Sequence, residues 1–282
     1  MQLTVISGKG GTGKTIIAVA ISELERSAKV DCDVDAPNLY LYYQGQEIFQ
    51  EDFSGGKQAV VDQLLCHECG ICQTVCKFEA IVNGQIIPFS CEGCGACVLA
   101  CPEQAIELRD AITAEVLVTR VSGGILSHSR MEIGSEGSGK LITILRKKAQ
   151  EYAGEELIIN DGSPGIGCPV ISSLTATDGA LIVTEPTQSG LADLQRIATL
   201  CRQFKLKTFV CINKADINEE ISAQIEAYCK ETGLIFVGRI PYDETVLKSI
   251  NELKPIIYYK NSMANQAIRA VWDKVRKELF SC

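Results

Sequence analysis

The sequence predicts an α/β fold: a doubly wound, mostly parallel sheet with a phosphate-binding loop, interrupted by a small cysteine-rich α+β module. Three observations predict it. A glycine-rich turn, Gly8 to Thr15, lies between a short apolar run and a helix-like stretch. Short apolar runs then alternate with helical stretches down the chain. Eight of the fourteen cysteines crowd between residues 66 and 101.

The turn comes first in the chain. Leu3 to Ile6 reads as a buried strand and Ile16 to Leu24 as a helix. Between them Gly8, Gly10, Gly11 and Gly13 free the backbone to curl, so that N–H groups, that of Thr12 among them, point at phosphate oxygens. Lys14 can then reach the β- and γ-phosphates, and the Thr15 hydroxyl can ligate Mg²⁺. The match to G-x-x-x-x-G-K-[ST] is complete. Lys9 adds a second lysine inside the loop. This pattern resembles the deviant Walker A of the MinD/Mrp/nitrogenase iron protein superfamily of P-loop ATPases. The resemblance implies that Lys9 reaches across a dimer interface to the partner's nucleotide. The partner would be a second copy or a related ATPase. The family usually has a second Thr after Thr15, where this chain has Ile16.

With 282 residues, the chain has room for one large domain and one small module. Its net charge of −8, with no basic block, argues against nucleic acid as a partner. No apolar run approaches the length of a membrane span. The N-terminus enters the first strand directly, so no signal peptide is expected. Cysteines at ligand spacing beside a phosphate loop point to the reducing cytoplasm rather than to disulfides.

Ala28 to Cys32 reads as the next strand, ending in the alternating carboxylates Asp31, Asp33 and Asp35. Beside a phosphate loop these form a switch segment. By resemblance to the family, Asp33 orients the attacking water and Asp31 lies near Mg²⁺, while Asp35 competes for either role. Residues 44–56 are polar and read as an exit from the ATPase core. The ATPase domain is therefore expected over 1–56 and 109–282, with the insert over 57–108.

Within the insert the runs are Cys66-x₂-Cys69-x₂-Cys72-x₃-Cys76 and Cys91-x₂-Cys94-x₂-Cys97-x₃-Cys101-Pro102. Each is followed by Ala-Ile. The repeat resembles a bacterial two-cluster ferredoxin, in which the fourth cysteine of each run ligates the other cluster. The resemblance implies one 4Fe–4S cluster on Cys66, Cys69, Cys72 and Cys101, and another on Cys91, Cys94, Cys97 and Cys76. Zinc is the alternative, but zinc sites use pairs of cysteines rather than two runs of four. Lys77 stands where ferredoxins often have Pro. Residues 57–108, counting lysines, Asp and Glu, carry an acidic excess of the kind that meets a basic redox partner.

The ATPase pattern resumes at Glu115 to Thr119. Gly134 to Lys140 also fits G-x-x-x-x-G-K, but Leu141 follows and no strand leads in, so it reads as a loop before a helix. Leu157 to Asp161 is a buried strand ending in a carboxylate, the Walker B form, with Asp161 holding the Mg²⁺ hydration shell. Gly162 to Gly167 is then switch II. Cys168 follows at once. A cysteine there binds a bridging cluster in the nitrogenase iron protein, but a packed thiol is the competing reading.

Leu181 to Thr184 and Phe209 to Ile212 are further strands. Ligands bind at the carboxyl ends of such strands, so Asn213 should contact the base and Pro241 should close over it. Asn213-Lys214-Ala215-Asp216 also matches the N-K-x-D of GTPases; Lys9 favours ATP. In the last helix Ile268, Val271, Trp272, Val275 and Leu279 form one stripe, read as packed on the core rather than on a membrane.

The expected function is nucleotide-gated electron transfer, with ATP, Mg²⁺ and two 4Fe–4S clusters as cofactors. Two other readings stand beside it. One is an Mrp-like carrier of iron–sulfur clusters. The other is a MinD-like positioning ATPase with a redox-sensing module.

Overall fold

Alternation in the central strands explains why helices cover both faces of the sheet. In the computed structural model, which describes residues 1–132, 135, 139–154 and 156–280, Leu3 and Val5 enter one core while Ile6 enters another. Leu181 and Val183 part from Ala180 and Ile182 in the same way, as do Phe209 and Cys211 from Val210 and Ile212. A strand's side chains alternate between faces, so a strand apolar at every position is buried on both.

The elements in order are β1 (Gln2–Ser7), α1 (Lys14–Leu24), β2 (Ser27–Asp31), β3 (Gly45–Val61), α2 (Ile71–Val75), β4 (Ile81–Val82), β5 (Gln85–Ile86), α3 (Ala96–Ala100), β6 (Ile106–Val121) and β7 (Gly124–Met131). There follow α4 (Gly139–Ala153), β8 (Leu157–Pro164), α5 (Cys168–Leu174), β9 (Gly179–Thr184), α6 (Gln188–Gln203), β10 (Lys207–Asn213), α7 (Glu219–Thr232), β11 (Ile235–Ile240), α8 (Glu244–Asn251) and α9 (Met263–Leu279). The main sheet runs β11-β10-β9-β1-β8-β2-β7-β6-β3. Its pairs from β11 through to β7 are parallel. Residues 44–56, read from sequence as a polar exit, fall almost wholly within the strand β3, and the stretch from Glu115 to Thr119 lies near the end of the longer strand β6.

The chain divides into two compact units. The first comprises 1–50, 116–129 and 137–282, and the second 51–115 and 130–136. The first unit contains both large cores. In it Ile268, Val271, Trp272, Val275 and Leu279 of α9 are buried together with Leu3, Val5 and Phe209. Among the described residues, no helix is long and apolar enough to cross a membrane. The second unit has a small core of Ala59, Ile81, Cys97 and Ile106, with Cys72, Cys76, Cys91 and Cys101 packed against it. The Gly134 to Lys140 motif lies largely outside the described residues.

One carboxylate fastens the C-terminal elements. Asp243 accepts from the Thr245 amide at 2.8 Å, capping α8, and from Ser262 Oγ at 2.6 Å and the Ala264 amide at 3.1 Å at the start of α9. Burial alone would raise its pKa, but these hydrogen bonds outweigh burial and hold it well below the usual carboxylate range. Its stabilisation is therefore present above the unfolded pKa of about 3.9 and is lost as pH falls toward the depressed folded value. Asp243→Ala is expected to cost about 1–2 kcal/mol, the worth of a lost cap. Thermal melts at pH 7 and pH 3 check this, and a difference from wild type that is no smaller at pH 3 would refute it.

Candidate functional site

The loop between β1 and α1 closes tightly. Gly11 and Gly13 take positive φ of 81° and 87°, in the left-handed region that favours glycine. A Cβ on Gly13 would also stand 2.3 Å from Asn213 Nδ2. The loop borders a cleft of about 350 Å³ lined by Ser7, Gly10 to Ile16, Asp33 and Pro164, with a wall of Leu41, Tyr42, Ile250 and Leu253.

Three carboxylates gather beneath the loop. Lys14 Nζ lies 2.6 Å from Asp161 Oδ1, and Thr15 Oγ1 donates to Asp161 Oδ2 at 2.6 Å. Burial would lower the Lys14 pKa, but the Asp161 charge outweighs it and the pKa is raised. Asp31 stands beside Asp161 in the β2–β8 register. Its oxygens accept from the amides of Asp33, Asn38 and Leu39 at 3.1, 3.0 and 2.9 Å. Burial, reinforced by Asp161, raises the Asp31 pKa. Asp33 lines the cleft itself, and burial raises its pKa too, with Lys14 opposing. Asp35 is exposed. The structure thus separates the three switch carboxylates: Asp31 underneath, Asp33 in the cleft, Asp35 outside.

The cleft fits a nucleotide phosphate chain with its cation. Thr12 Oγ1 is buried with no hydrogen-bond partner, and Thr12 lines the cleft. An orphaned donor costs free energy unless something engages it. Thr15 and Asp161 supply the oxygens that a hard cation prefers.

Lys9 folds back onto its own chain, 3.4 Å from Glu185 and 3.5 Å from Ser189 Oγ. Glu185 also pairs with Lys214 at 2.6 Å. Asn213 donates to the Thr12 carbonyl at 2.7 Å, bracing the loop. Asn213 and Pro241 sit at the ends of the paired strands β10 and β11 but do not line the cleft. Asp216 accepts from the Tyr242 amide at 2.6 Å. Cys168 is exposed at the first turn of α5.

Glu185 and the apolar wall carry no sequence motif. Leu253 has φ 49°, a bulky residue in the left-handed region just past the end of α8, where glycine is usual. Only its place in the fold reveals it.

The second unit has two cavities. One is lined by Cys66, Cys69, Cys72 and Cys101. The other is lined by Cys76, Cys91, Cys94 and Cys97. The repeat is visible in the backbone, since Gly70 and Gly95 precede α2 and α3 with φ of 75° and 79°. The amides of Ala80 and Ala105 donate to Cys76 and Cys101 Sγ at 3.3 Å each. The Ala59 amide donates to Cys91 Sγ at 3.5 Å. His67 lies 3.9 Å from Glu103 with its side chain 73% exposed. Among the described residues, no three His, Cys, Asp or Glu side chains converge as for a single metal ion. Each cavity thus presents four thiols, a donor set that iron–sulfur clusters and structural zinc both take.

The sequence matches the family described as the CobQ/CobB/MinD/ParA nucleotide binding domain over residues 3–256. It is 33% identical to an uncharacterized protein of Methanocaldococcus jannaschii, over 98% of this chain and 97% of that one. It is 23% identical to an iron–sulfur cluster carrier protein of Pyrococcus abyssi, over 99% of this chain and 86% of that one. Its fold is similar to that of the septum site-determining protein MinD of Pyrococcus horikoshii, solved with Mg-ADP. That similarity has a TM-score of 0.60 at 17% identity and covers 99% and 97% of the two chains. On the extent of the family match, the chain belongs to the CobQ/CobB/MinD/ParA family of nucleotide-binding domains.

Proposed function

We propose that the protein is an ATPase whose nucleotide state governs electron transfer through two 4Fe–4S clusters. The observation that carries this reading is the pair of four-cysteine cavities on the same chain as the phosphate cleft. When bound, the clusters would supply one-electron transfer. Cys66, Cys69, Cys72 and Cys101 would hold one, and Cys76, Cys91, Cys94 and Cys97 the other. Lys14 and the loop amides bind the phosphates, Thr15 and Asp161 hold Mg²⁺, and Asp33 orients the attacking water. Release of Lys14 from Asp161 toward the γ-phosphate is the local change that distinguishes the nucleotide states. Lys9 leaves Glu185 to complete the site of a second subunit, a copy of this chain or a related one.

A ligand shifts an equilibrium only by its differential affinity for the two states. A tenfold difference moves a one-electron potential by about 59 mV, or roughly 1.4 kcal/mol, within the usual span of coupling energies. ATP with Mg²⁺ is therefore expected to change a cluster's midpoint potential, or its rate of loss to a chelator, relative to ADP. Asp33→Asn should hold the protein in its ATP-bound behaviour. Identical titrations and chelation rates with ATP, ADP and no nucleotide would refute the gating.

A second reading, delivery of clusters to other proteins, is favoured by resemblance to the Pyrococcus abyssi carrier and to a Nematostella vectensis cytosolic Fe–S cluster assembly factor, the latter 22% identical. Iron retained by this protein after incubation with an apo-acceptor excludes delivery; iron transferred supports it.

A further inference from the structure

We propose that the two cysteine cavities hold their clusters at unequal potentials. The Cys76, Cys91, Cys94 and Cys97 cavity has the higher potential and takes the first electron. The inference rests on the two-cluster reading but not on nucleotide gating.

The internal repeat makes the cavities a controlled comparison. Each is entered by a positive-φ glycine, and each receives an amide on the last cysteine of a run, Ala80 on Cys76 and Ala105 on Cys101. Whatever departs from this symmetry sets the difference between the two sites.

The first departure is a hydrogen bond. The Ala59 amide of β3 donates to Cys91 Sγ, whereas among the described residues Cys66, the matching first cysteine, has no such donor. An N–H aimed at a ligand sulfur draws off negative charge and so favours the reduced cluster, which carries one more. The second departure is charge. Glu68 and Glu103 line the Cys66 cavity, whereas Glu92 alone lines the other. A carboxylate beside a cluster disfavours an added electron. Exposed Lys77 follows Cys76 directly, which adds a cation next to a ligand of the second cavity.

Two features oppose this ordering. His67 offsets Glu103 when protonated, but it is largely in solvent, where such pairs are worth little. Phe78 lines the second cavity and excludes some water, which penalises added charge, yet Phe78 is itself 46% exposed. The extra amide, donated to the sulfur itself, outweighs a half-exposed ring, and the exposed carboxylates add a screened contribution of the same sign. A single electron from a low-potential one-electron reductant therefore resides in the second cavity, with no bond made or broken.

The test is an anaerobic, EPR-monitored titration of the full chain with dithionite and mediators, after iron analysis. Two potentials separated by at least a tenfold equilibrium constant, about 59 mV, are expected. The double variant Glu68→Gln/Glu103→Gln should raise only the lower potential and narrow the gap. Glu92→Gln should raise only the higher and widen it. A single potential, or a Glu68/Glu103 variant that moves the higher one, overturns the ordering. Fewer than eight irons per chain overturns both the ordering and the two-cluster reading. Unequal potentials that ignore nucleotide uphold the ordering and reject the gating alone.

Discussion

Lys9→Ala is expected to abolish ATP-dependent dimerisation and hydrolysis while each chain still binds nucleotide, whereas Lys14→Ala is expected to weaken binding itself. The two lysines stand five residues apart in one loop, but their surroundings differ. Lys9 is 36% exposed at its side chain and held by Glu185 at 3.4 Å. Glu185 keeps its pair with Lys214 at 2.6 Å when Lys9 departs, so a partner's nucleotide can draw Lys9 away at small cost. Lys14 is 6% exposed and sits 2.6 Å from Asp161, with Asp31 and Asp33 acting on it as well. Its removal deletes a charged contact to phosphate worth about 1.5–3 kcal/mol, roughly a ten- to hundredfold weaker complex. It also leaves Asp161 without its cation in a buried cluster of carboxylates, which adds destabilisation. Fluorescent-nucleotide binding and sedimentation with ATP separate the two effects. Equal loss of affinity in both variants would remove the cross-dimer role from Lys9. Glu185→Gln serves as a control, because it frees Lys9 without deleting it.

Cys101→Ser is expected to halve the iron, from about eight to about four per chain. The cluster lost should be the one served by Cys66, Cys69 and Cys72, although Cys101 belongs to the other run. Its thiol lines the first cavity with those three. The spectrum of Cys101→Ser should therefore match that of Cys69→Ser and differ from that of Cys94→Ser. A match to Cys94→Ser would mean that each run serves its own cluster. Zinc in the purified protein, or four irons in the wild type, would end the two-cluster assignment.

What could be read from the sequence depended on burial. Strands β1, β8, β9 and β10 are largely enclosed on both faces and appear as short stretches dominated by apolar residues. The phosphate loop and the cysteine runs were legible because their chemistry fixes residue types at fixed spacing. β3 was not. Its residues from Gly45 to Gly56 are mostly exposed, and Gly55 and Gly56 interrupt any alternation. Of β6 only the stretch Glu115 to Thr119, toward its buried end, was legible, because Glu107 to Thr113 face solvent to varying degrees. The cleft wall was hidden for another reason. Leu41, Tyr42, Ile250 and Leu253 come from separate segments that only the fold brings together. Asn213, expected at the base, also braces the loop through the Thr12 carbonyl. An amide side chain can donate to several acceptors, and sequence alone does not choose among them.

If the cavities hold the proposed clusters, the exchange of fourth cysteines also imposes an order of assembly during synthesis. The cavity of Cys76, Cys91, Cys94 and Cys97 is complete once the chain has emerged through Cys97. The other must wait for Cys101, and it then closes a loop reaching back to Cys66 across the whole module. A longer loop costs more entropy to close, by about 0.6 kcal/mol for each doubling in length. A chain growing from the ribosome thus offers its inner site first, and filling that site draws the two runs together before the outer one can form. A nascent chain stalled with Cys97 emerged and Cys101 still inside the ribosome would be competent for one cluster and not for two.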